Sequence, residues 1–584
     1  MRMRSKLGAL VCIAAASFCS AAPKPLADTV ILHAKVYTVD ADRPWAEAIA
    51  ISGEKILAVG DEKSIEALRG PKTNVIDAQQ KLVLPGFIDS HIHFMEGSQL
   101  LPQVHLDDTK NLAEIQALVK AYALAHPAAK WVLGRGWNYA EFGARGLPDR
   151  RELDAVVPDR PAFLEGYDGH TYWANTKALE LAGITKTTPD PLNGEIVRDH
   201  ETGEATGALK ESAADAVMKV IPQPTRQERL AMLQQGMALA NQAGLTFVVS
   251  CGNDTPFMSD DEYLDLFDQL RRQGKLTLRF YISNYQAPPQ LTAQDLGTVL
   301  ATTKRFPHND EWLAGGAVKF FLDGVVESHT AAMLTPYGDD PHKFGNLRWD
   351  PEKYKQAVAE LDRNGIQVFT HAIGDRAVRL ALDAYQNAAK QNHTTDARHR
   401  IEHIETVTAQ DIPRFGKLGV IASFQPLHAY PDDDMWVWLK NAGKAREPRA
   451  FAWQSIWKTG GHEAFGSDWP VVTLDPWEGV QTAVTRQTRE GTPAAGWVPE
   501  QRLSLAQAIE GYTVGAAYGV HRDKMQGSIG PGKLADIIMV SQNLFEVDPH
   551  NIAETKVLMT MVGGKTVYRS PELSPGPTSV QVKK

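Results

Sequence analysis

Eight apolar, strand-like runs recur along this chain of 584 residues and are separated by segments with helical periodicity. They lie at 84–94, 244–252, 276–283, 316–324, 365–375, 398–405, 419–426 and 463–471. Strands that are apolar on both faces and alternate with helices are typical of a parallel sheet covered on both sides. Eight such units predict an α/β fold, a closed (β/α)8 TIM barrel. A doubly wound open sheet has the same periodicity and stays open as the alternative.

Three segments fall outside this repeating pattern. Residues 23–83 and 526–584 alternate short β-branched runs with glycine-containing turns, which predicts strands and hairpins at both ends of the chain. About 150 residues separate the first two predicted barrel strands, too many for a connecting loop. We therefore predict an inserted subdomain at 100–222, between the first barrel strand region at 84–99 and the rest of the barrel at 223–525.

Residues 1–22 have the order of a secretory signal peptide: a basic start, an apolar run and then small residues. The apolar run is shorter than the roughly 20 residues that a membrane-spanning helix needs. We expect cleavage within 20–23, export to the periplasm or medium, and no integral membrane span afterwards. A membrane anchor and a lipoprotein modified at Cys19 are the alternatives.

Net charge and cysteine content exclude further classes of protein. Cleavage would remove three basic residues and change the net charge from −9 to −12, an acidic balance that disfavours a nucleic-acid binder. It would also leave Cys251 as the single cysteine, so no intrachain disulfide is expected. We interpret Cys251 as a packing residue and expect a small-molecule substrate as the partner.

Side chains that can bind a metal interrupt five of the apolar runs near their carboxyl ends. In the first run His91 and His93 stand two residues apart, so on a strand both imidazoles point to the side that Asp89 also faces. Later runs carry Lys319, His371, His403 and Asp468. Active sites of such barrels lie at the carboxyl ends of the strands. Buried charged groups are costly unless they are paired or metal-bound, so the five positions together predict a metal site.

This order of residues resembles the amidohydrolase superfamily of metal-dependent hydrolases. The chain is most similar to its YtcJ-like branch, which includes N-substituted formamide deformylases (the amidohydrolase 3 family). The matching stretches are LPGFIDSHIH, DGHTYWANTKALELAGI, VKFFLDG, HAIGDRA, RIEHIE, SFQPLHA, GSDWPV and GKLADIIMV. The resemblance spans essentially the whole mature chain and implies that the two terminal β-segments form one small β-sandwich beside the barrel.

The resemblance also implies a role for each candidate ligand. A more buried metal is expected on His91, His93 and Asp468, and a second metal on His371 and His403. Imidazole and carboxylate donors favour Zn²⁺, with one or two ions per chain. Asp468 is the expected catalytic base, which accepts a proton from metal-bound hydroxide and passes it to the leaving amine.

Lys319 matches the lysine that carries a CO₂-derived carbamate and bridges both ions in binuclear members. An unmodified ammonium would repel two cations, so we expect Lys319 to be carboxylated if the site is binuclear. Glu211, in the stretch TGALKESA, is the alternative source of a carboxylate. Members with a single metal also exist, and sequence leaves the number of ions open.

Other residues are predicted to surround the metal site. The expected substrate-binding residues are Tyr167, His170 and Trp173 in the insertion and His428 after the seventh strand. A structural turn is the alternative role for His170. Asp375 and Arg376 are predicted to form a pair that contacts His371 and orients its imidazole.

The predicted function is hydrolysis of an amide-type C–N bond in an N-acyl or N-formyl amine. A deaminase or another cyclic-amide or ester hydrolase of the superfamily is the first alternative. Deaminases of the superfamily place a glutamate three residues after the fifth-strand histidine, where this chain has Gly374. A non-catalytic regulatory or binding protein is the second alternative, although it would predict eroded ligands. The sequence leaves the oligomeric state open, and a homodimer is one candidate because dimers are common in the superfamily.

Overall fold

The computed structural model describes residues 26–167, 169–192, 194–252 and 258–573. The predicted signal peptide at 1–22 lies outside the described residues. Within the described ranges, no helix combines the length and the apolar character needed to cross a bilayer.

An eight-stranded parallel sheet forms the centre of the protein, and neighbours in the sheet are also neighbours along the chain. Its strands are β1 (Phe87–Ile92), β2 (Leu245–Ser250), β3 (Arg279–Tyr285), β4 (Leu313–Phe321), β5 (Gln367–Ala372), β6 (Arg400–His403), β7 (Ile421–Phe424) and β8 (His462–Phe465). Each strand coincides with one of the predicted apolar runs. The predicted (β/α)8 barrel is therefore confirmed, and the open doubly wound sheet is not the fold.

Helices cover the outside of this sheet, and several of them begin at strong capping residues. Thr225, Ser259 and Thr292 each accept a hydrogen bond from the backbone of the first turn, within a reciprocal capping box. Asp350 caps a helix that has a proline in its first turn. The main helices around the barrel are Arg226–Gln242, Asp260–Arg272, Ala293–Arg305, Pro351–Arg363, Asp375–Asn392, Ile412–Leu418, Asp433–Ala442, Trp453–Trp457, Pro476–Thr485 and Leu505–Glu510.

Both ends of the chain contribute to a β-sandwich. Its four-stranded sheet contains Lys55–Gly60, Ala48–Ser52, Ala27–Leu32 and Arg69–Asp77. Its six-stranded sheet contains Lys565–Arg569, Val557–Val562, Ile537–Val540, Leu82–Pro85, Lys35–Tyr37 and Trp45–Ala46. The two ends meet where Val83 pairs with Met539 in antiparallel register. Apolar side chains from both ends pack into one core, which confirms the sandwich implied by the family resemblance.

The segment between β1 and β2 has structure of its own. Six strands form a sheet in the order Gly194–Arg198, Ala205–Glu211, Thr171–Ala174, Ala162–Gly166, Val132–Trp137 and Val104–His105. The helix Leu112–Ala125 packs with part of this sheet around one apolar cluster, and the helix Thr176–Leu181 belongs to a second cluster. The sheet lies within the insertion predicted at 100–222.

The barrel closes between β8 and β1 by a different means from its other strand pairs. These two strands stand at the ends of the hydrogen-bonded strand order. Beyond them, the amide of Asp468 donates to the carbonyl of His91 at 2.7 Å, and the amide of His93 donates to the carbonyl of Trp469 at 2.8 Å. Loop backbone at the rim therefore brings the first and last strands together.

Candidate metal centre

Asp468 lies at the centre of a group of imidazoles at the carboxyl end of the barrel. Its Oδ1 is 3.4 Å from His91 Nε2 and 3.2 Å from His93 Nε2. Its Oδ2 is 3.9 Å from His403 Nδ1 and 3.6 Å from His428 Nε2. The parallel strands all present their carboxyl ends at this rim, which is why residues so distant in sequence meet here.

The remaining predicted ligands join the same group. Lys319 is fully buried, with its Nζ 3.3 Å from His91 Nε2. The ring of His371 lies 4.6 Å from that of His403, centroid to centroid, and His403 lies 4.8 Å from His91. The structure thus brings all six predicted ligands together.

Glu402 orients His91, a role that was not predicted from the sequence. His91 Nδ1 donates to Glu402 Oε2 at 2.6 Å, which leaves Nε2 facing Asp468. Arg400 holds Glu402 in turn, with Nε and Nη2 each 2.9 Å from one of its carboxylate oxygens. The signal was available in RIEH, where two charged residues alternate within a strand expected to be buried.

His371 is oriented by the loop after β4. Its Nε2 lies 3.2 Å from the carbonyl of Gly324 and 3.6 Å from Asp323 Oδ1, so Nδ1 is left for the site. Asp323 is fully buried and accepts three backbone amides, those of Ala332, Ile373 and Gly374. Burial raises the pKa of Asp323 to about 7, against the effect of these hydrogen bonds.

The predicted Asp375–Arg376 pair is wrong. Asp375 accepts the amide of Leu334 at 2.7 Å and lies 3.7 Å from the guanidinium of Arg446. Arg376 is exposed, because the helix Asp375–Asn392 turns its side chain outward. The carboxylate beside His371 is therefore Asp323, which belongs to a different strand connection.

Burial and mutual charge set the protonation of the donors. Burial, reinforced by the Lys319 ammonium, lowers the pKa of His371 to about 3. Burial and His371 lower the pKa of His403 well below its usual range. Burial alone would raise the pKa of Asp468, but His91 and His93 hold it well below its usual range. His371 and His403 are therefore neutral, the form in which imidazole binds metal. His91 differs, because burial would lower its pKa but the charges of Cys251, Glu402 and Asp468 raise it well above the usual range.

The donor set fits a divalent cation. One ligand atom from each of His91, His403 and Asp468 lies within 4.8 Å of the other two, and all three residues are buried. Within the described chain, Nδ1 of His371 and Nδ1 of His403 are buried without a hydrogen-bond partner. Buried imidazole nitrogens left unpaired beside a carboxylate would be costly, and a bound cation removes that cost.

His428 and Glu405 extend the group on one side. The ring of His428 is stacked parallel to that of His403, with centroids 5.8 Å apart. Its Nδ1 lies 3.9 Å from Glu405 Oε1, and Glu405 Oε2 accepts the indole N–H of Trp438 at 2.7 Å. His428 therefore lies between Asp468 and a second buried carboxylate, Glu405, which was not predicted from the sequence.

The predicted residues of the insertion are distributed differently. His170 Nδ1 pairs with Glu211 Oε1 at 3.0 Å, and both side chains are more than half exposed. Tyr167 is also on the surface, with 48% of its area exposed. Glu211 therefore lies on the surface, unlike the buried donors around Asp468. Trp173 does not fit its predicted place at a substrate pocket. It is fully buried in the core of the insertion, where its indole donates to the carbonyl of Asp149.

Cys251 is buried at the end of β2, as a packing residue would be. Its Sγ lies 3.7 Å from the carbonyl of Val249. The thiol also stands near His91 and Glu402, with one ligand atom of each within 4.8 Å of the others.

Residues 74–568 match the sequence profile of the amidohydrolase family. The chain belongs to this family. Protein LONG AFTER FAR-RED 3 of Arabidopsis thaliana is 33% identical, over 93% of this chain and 92% of its own. The putative amidohydrolase YtcJ of Bacillus subtilis is 28% identical over 91% and 98%. The N-substituted formamide deformylase of Arthrobacter pascens is 28% identical over 93% and 98%.

A solved structure of similar architecture comes from Pyrococcus horikoshii, an uncharacterised metal-dependent hydrolase. Its TM-score to this chain is 0.71 at 26% sequence identity, covering 89% of this chain and 99% of the other. Family and fold confirm the predicted enzyme class, a metal-dependent hydrolase that acts on carbon–nitrogen bonds.

Proposed function

We propose that this amidohydrolase cleaves the amide-type C–N bond of an N-acyl or N-formyl amine, with Asp468 as the catalytic acid–base group. The observation that carries the proposal is the position of Asp468, whose carboxylate contacts the imidazoles of His91 and His93 and is held ionised by them. The similarity to a formamide deformylase over most of both chains supports this bond type.

The proton transfers follow from the place of this carboxylate. Asp468 accepts a proton from the water whose oxygen bonds to the carbonyl carbon, and it then returns that proton to the nitrogen as the C–N bond breaks. One water is consumed, and the products are a carboxylic acid and an amine. When bound, a divalent cation supplies Lewis-acid polarisation of the carbonyl and lowers the pKa of water.

His428 is the proposed substrate contact nearest to this carboxylate. Its Nε2 lies 3.6 Å from Asp468 Oδ2 and is buried without a hydrogen-bond partner in the described ranges. An imidazole in this position can donate to or accept from a polar group of the substrate.

Zn²⁺ is the proposed metal, held by the imidazoles of His91, His93, His371 and His403 and by Asp468. Imidazole and carboxylate donors suit zinc, and an atrazine chlorohydrolase of similar fold is complexed with zinc in its solved structure. We further propose that the Lys319 amine adds CO₂ and releases a proton, forming a carbamate. A buried ammonium 3.3 Å from a ligand nitrogen would repel cations, whereas a carbamate oxygen would bind them.

A screen for released amine tests this function. Purified protein loaded with zinc is incubated with N-formyl amines, N-acyl amines and peptide-like amides, and the free amine is quantified. We expect release from at least one class, loss of release after chelation, and restoration by added zinc. Release of ammonia from an aromatic amine, with all amides left intact, would instead identify a deaminase.

We also propose that the mature protein is exported and forms a homodimer. The signal-peptide pattern of residues 1–22 supports export, and the frequency of dimers in the superfamily supports the homodimer. Amino-terminal sequencing of protein from the periplasm or medium should begin within 20–23, and an intact Met1 would contradict cleavage. Light scattering of the purified protein measures its oligomeric state directly.

A further inference from the structure

The loop that follows β8 is tied to β1 by a buried carboxylate that takes no part in the proposed reaction. Asp89 lies on β1 and is 1% exposed. Its Oδ1 accepts the backbone amide of Ser467 at 3.0 Å and that of His91 at 3.1 Å. Its Oδ2 accepts the hydroxyl of Ser467 at 2.5 Å. One carboxylate therefore joins the backbone of a candidate ligand to the residue before Asp468.

The Ser467 hydroxyl continues this connection along the loop. Its Oγ accepts the amide of Trp469 at 2.9 Å. The carbonyl of Trp469 accepts the amide of His93, and the carbonyl of His91 accepts the amide of Asp468. Backbone hydrogen bonds at Asp468 and at Trp469 therefore hold the segment 467–469 against 91–93, although the two segments do not form a regular pair of strands.

The approach of the two segments is so close that only a glycine fits before Ser467. A Cβ on Gly466 would lie 2.4 Å from the amide nitrogen of His91 and 2.7 Å from Asp89 Oδ1. Asp468 itself has φ +63°, a backbone conformation that residues other than glycine rarely adopt. Such a backbone conformation persists only where the surroundings impose it.

We infer that Asp89 and Ser467 form a clasp that positions the Asp468 carboxylate against His91 and His93. Both carboxylate oxygens of Asp89 take part, because Oδ1 accepts the amides of the two segments and Oδ2 accepts the Ser467 hydroxyl. An amide at this position keeps one acceptor oxygen and replaces the other with an NH₂ group. Either the Ser467 hydroxyl or the two backbone amides then lose their acceptor. The inference rests on the metal centre of the proposed function, because the clasped residues are its candidate ligands.

Metal affinity measured without substrate tests the clasp. Asp89→Asn and Ser467→Ala are compared with Ser467→Thr, which keeps the hydroxyl, and with Asp362→Asn as a matched control. Asp362 is also a buried carboxylate that accepts several side-chain hydrogen bonds, but its partner His399 precedes β6, at the opposite end of the barrel. Zinc affinity is measured by competition with a chelator, and the folding of each metal-free variant by thermal denaturation.

We expect roughly 10- to 100-fold weaker zinc binding in Asp89→Asn and Ser467→Ala, as for other residues that orient metal ligands. Ser467→Thr should recover most of the affinity, and Asp362→Asn should bind zinc like the parent. In catalysis kcat should fall more than KM rises, since the clasp positions Asp468 rather than the substrate.

Parent-like zinc affinity in a folded Ser467→Ala protein would overturn the clasp, whether or not Asp89→Asn folds. Equal losses in Asp362→Asn would also overturn it, because they would reveal a general effect of altering buried hydrogen bonds. Normal zinc binding in the parent without amine release would contradict the proposed reaction and leave the clasp standing.

Discussion

His91 Nδ1 lies 2.6 Å from Glu402 Oε2, and both side chains are completely buried. Glu402 also forms a two-point ion pair with Arg400, which is itself fully buried. The guanidinium and the imidazole together hold the pKa of Glu402 far below its usual range, although burial alone would raise it. A fixed carboxylate on one ring nitrogen sets the tautomer that presents the other nitrogen to a metal.

Glu402→Gln should therefore weaken zinc binding by roughly 10- to 100-fold. It should also destabilise the protein by about 3–5 kcal/mol, because Arg400 would keep a buried charge without its partner. Chelator competition and chemical denaturation measure the two effects separately. Glu463→Gln, at another buried glutamate on β8, is the matched control and should leave zinc affinity unchanged. Unchanged affinity in Glu402→Gln would contradict the orienting role.

Asp468→Asn should abolish turnover and keep the fold. The amide cannot accept and return a proton, and loss of an acid–base group costs roughly 10²- to 10⁴-fold in rate. Rate, zinc content and circular dichroism are measured on the same sample, with Asp375→Asn as a control at an aspartate that contacts Arg446. Full activity in zinc-loaded Asp468→Asn would remove this residue as the base.

Lys319→Ala should lose bound metal and activity together. If the lysine carries a carbamate, a short carboxylic acid can enter the space of the missing side chain and supply oxygen donors. Partial recovery of both zinc content and rate is therefore expected with formate or acetate plus zinc. The same acids should leave Asp468→Asn inactive. A Lys319→Ala protein that binds the parental amount of zinc unaided would rule out the carbamate.

Glu463 predicts a specific pH dependence of stability. It is 2% exposed, and both carboxylate oxygens lack a hydrogen-bond partner in the described residues. Burial and then the nearby Glu510 raise its pKa well above the usual value of 4.5. A carboxyl whose pKa is raised by folding stabilises fully below its unfolded pKa, and that contribution is lost as pH rises through the folded pKa.

Glu463→Gln should remove the loss of stability that ionisation of Glu463 causes at high pH. Its melting temperature should exceed that of the parent at pH 8 by roughly 1 °C for each kcal/mol, since the entropy of unfolding grows with chain length. At pH 4, below both pKa values, the parent glutamate is mostly protonated in both states, so the two proteins should melt nearly alike. The exposed Glu500→Gln is the control and should show no such crossover. A parallel pair of stability curves from pH 4 to 8 would contradict the prediction.

Sequence periodicity was enough to identify the barrel and its candidate ligands. Strand and helix patterns are local properties, so each of the eight runs could be assigned without knowing its neighbours. Parallel strands also end on one side of a barrel, so His371 at the end of β5 and His403 at the end of β6 had to converge. The fold class and the set of candidate ligands followed from these two facts.

What surrounds the ligands was decided only by the tertiary structure. Glu402 stands 311 residues from His91, and Asp89 stands 378 residues from Ser467. Local patterns likewise failed to distinguish buried Trp173 from a pocket residue, or Asp323 from Asp375 as the carboxylate beside His371. Periodicity determines which face a residue occupies. The register across the closed barrel and the path of its rim loops determine which side chain that residue contacts. Those contacts form between segments far apart in sequence, so a local pattern in one segment does not predict the other.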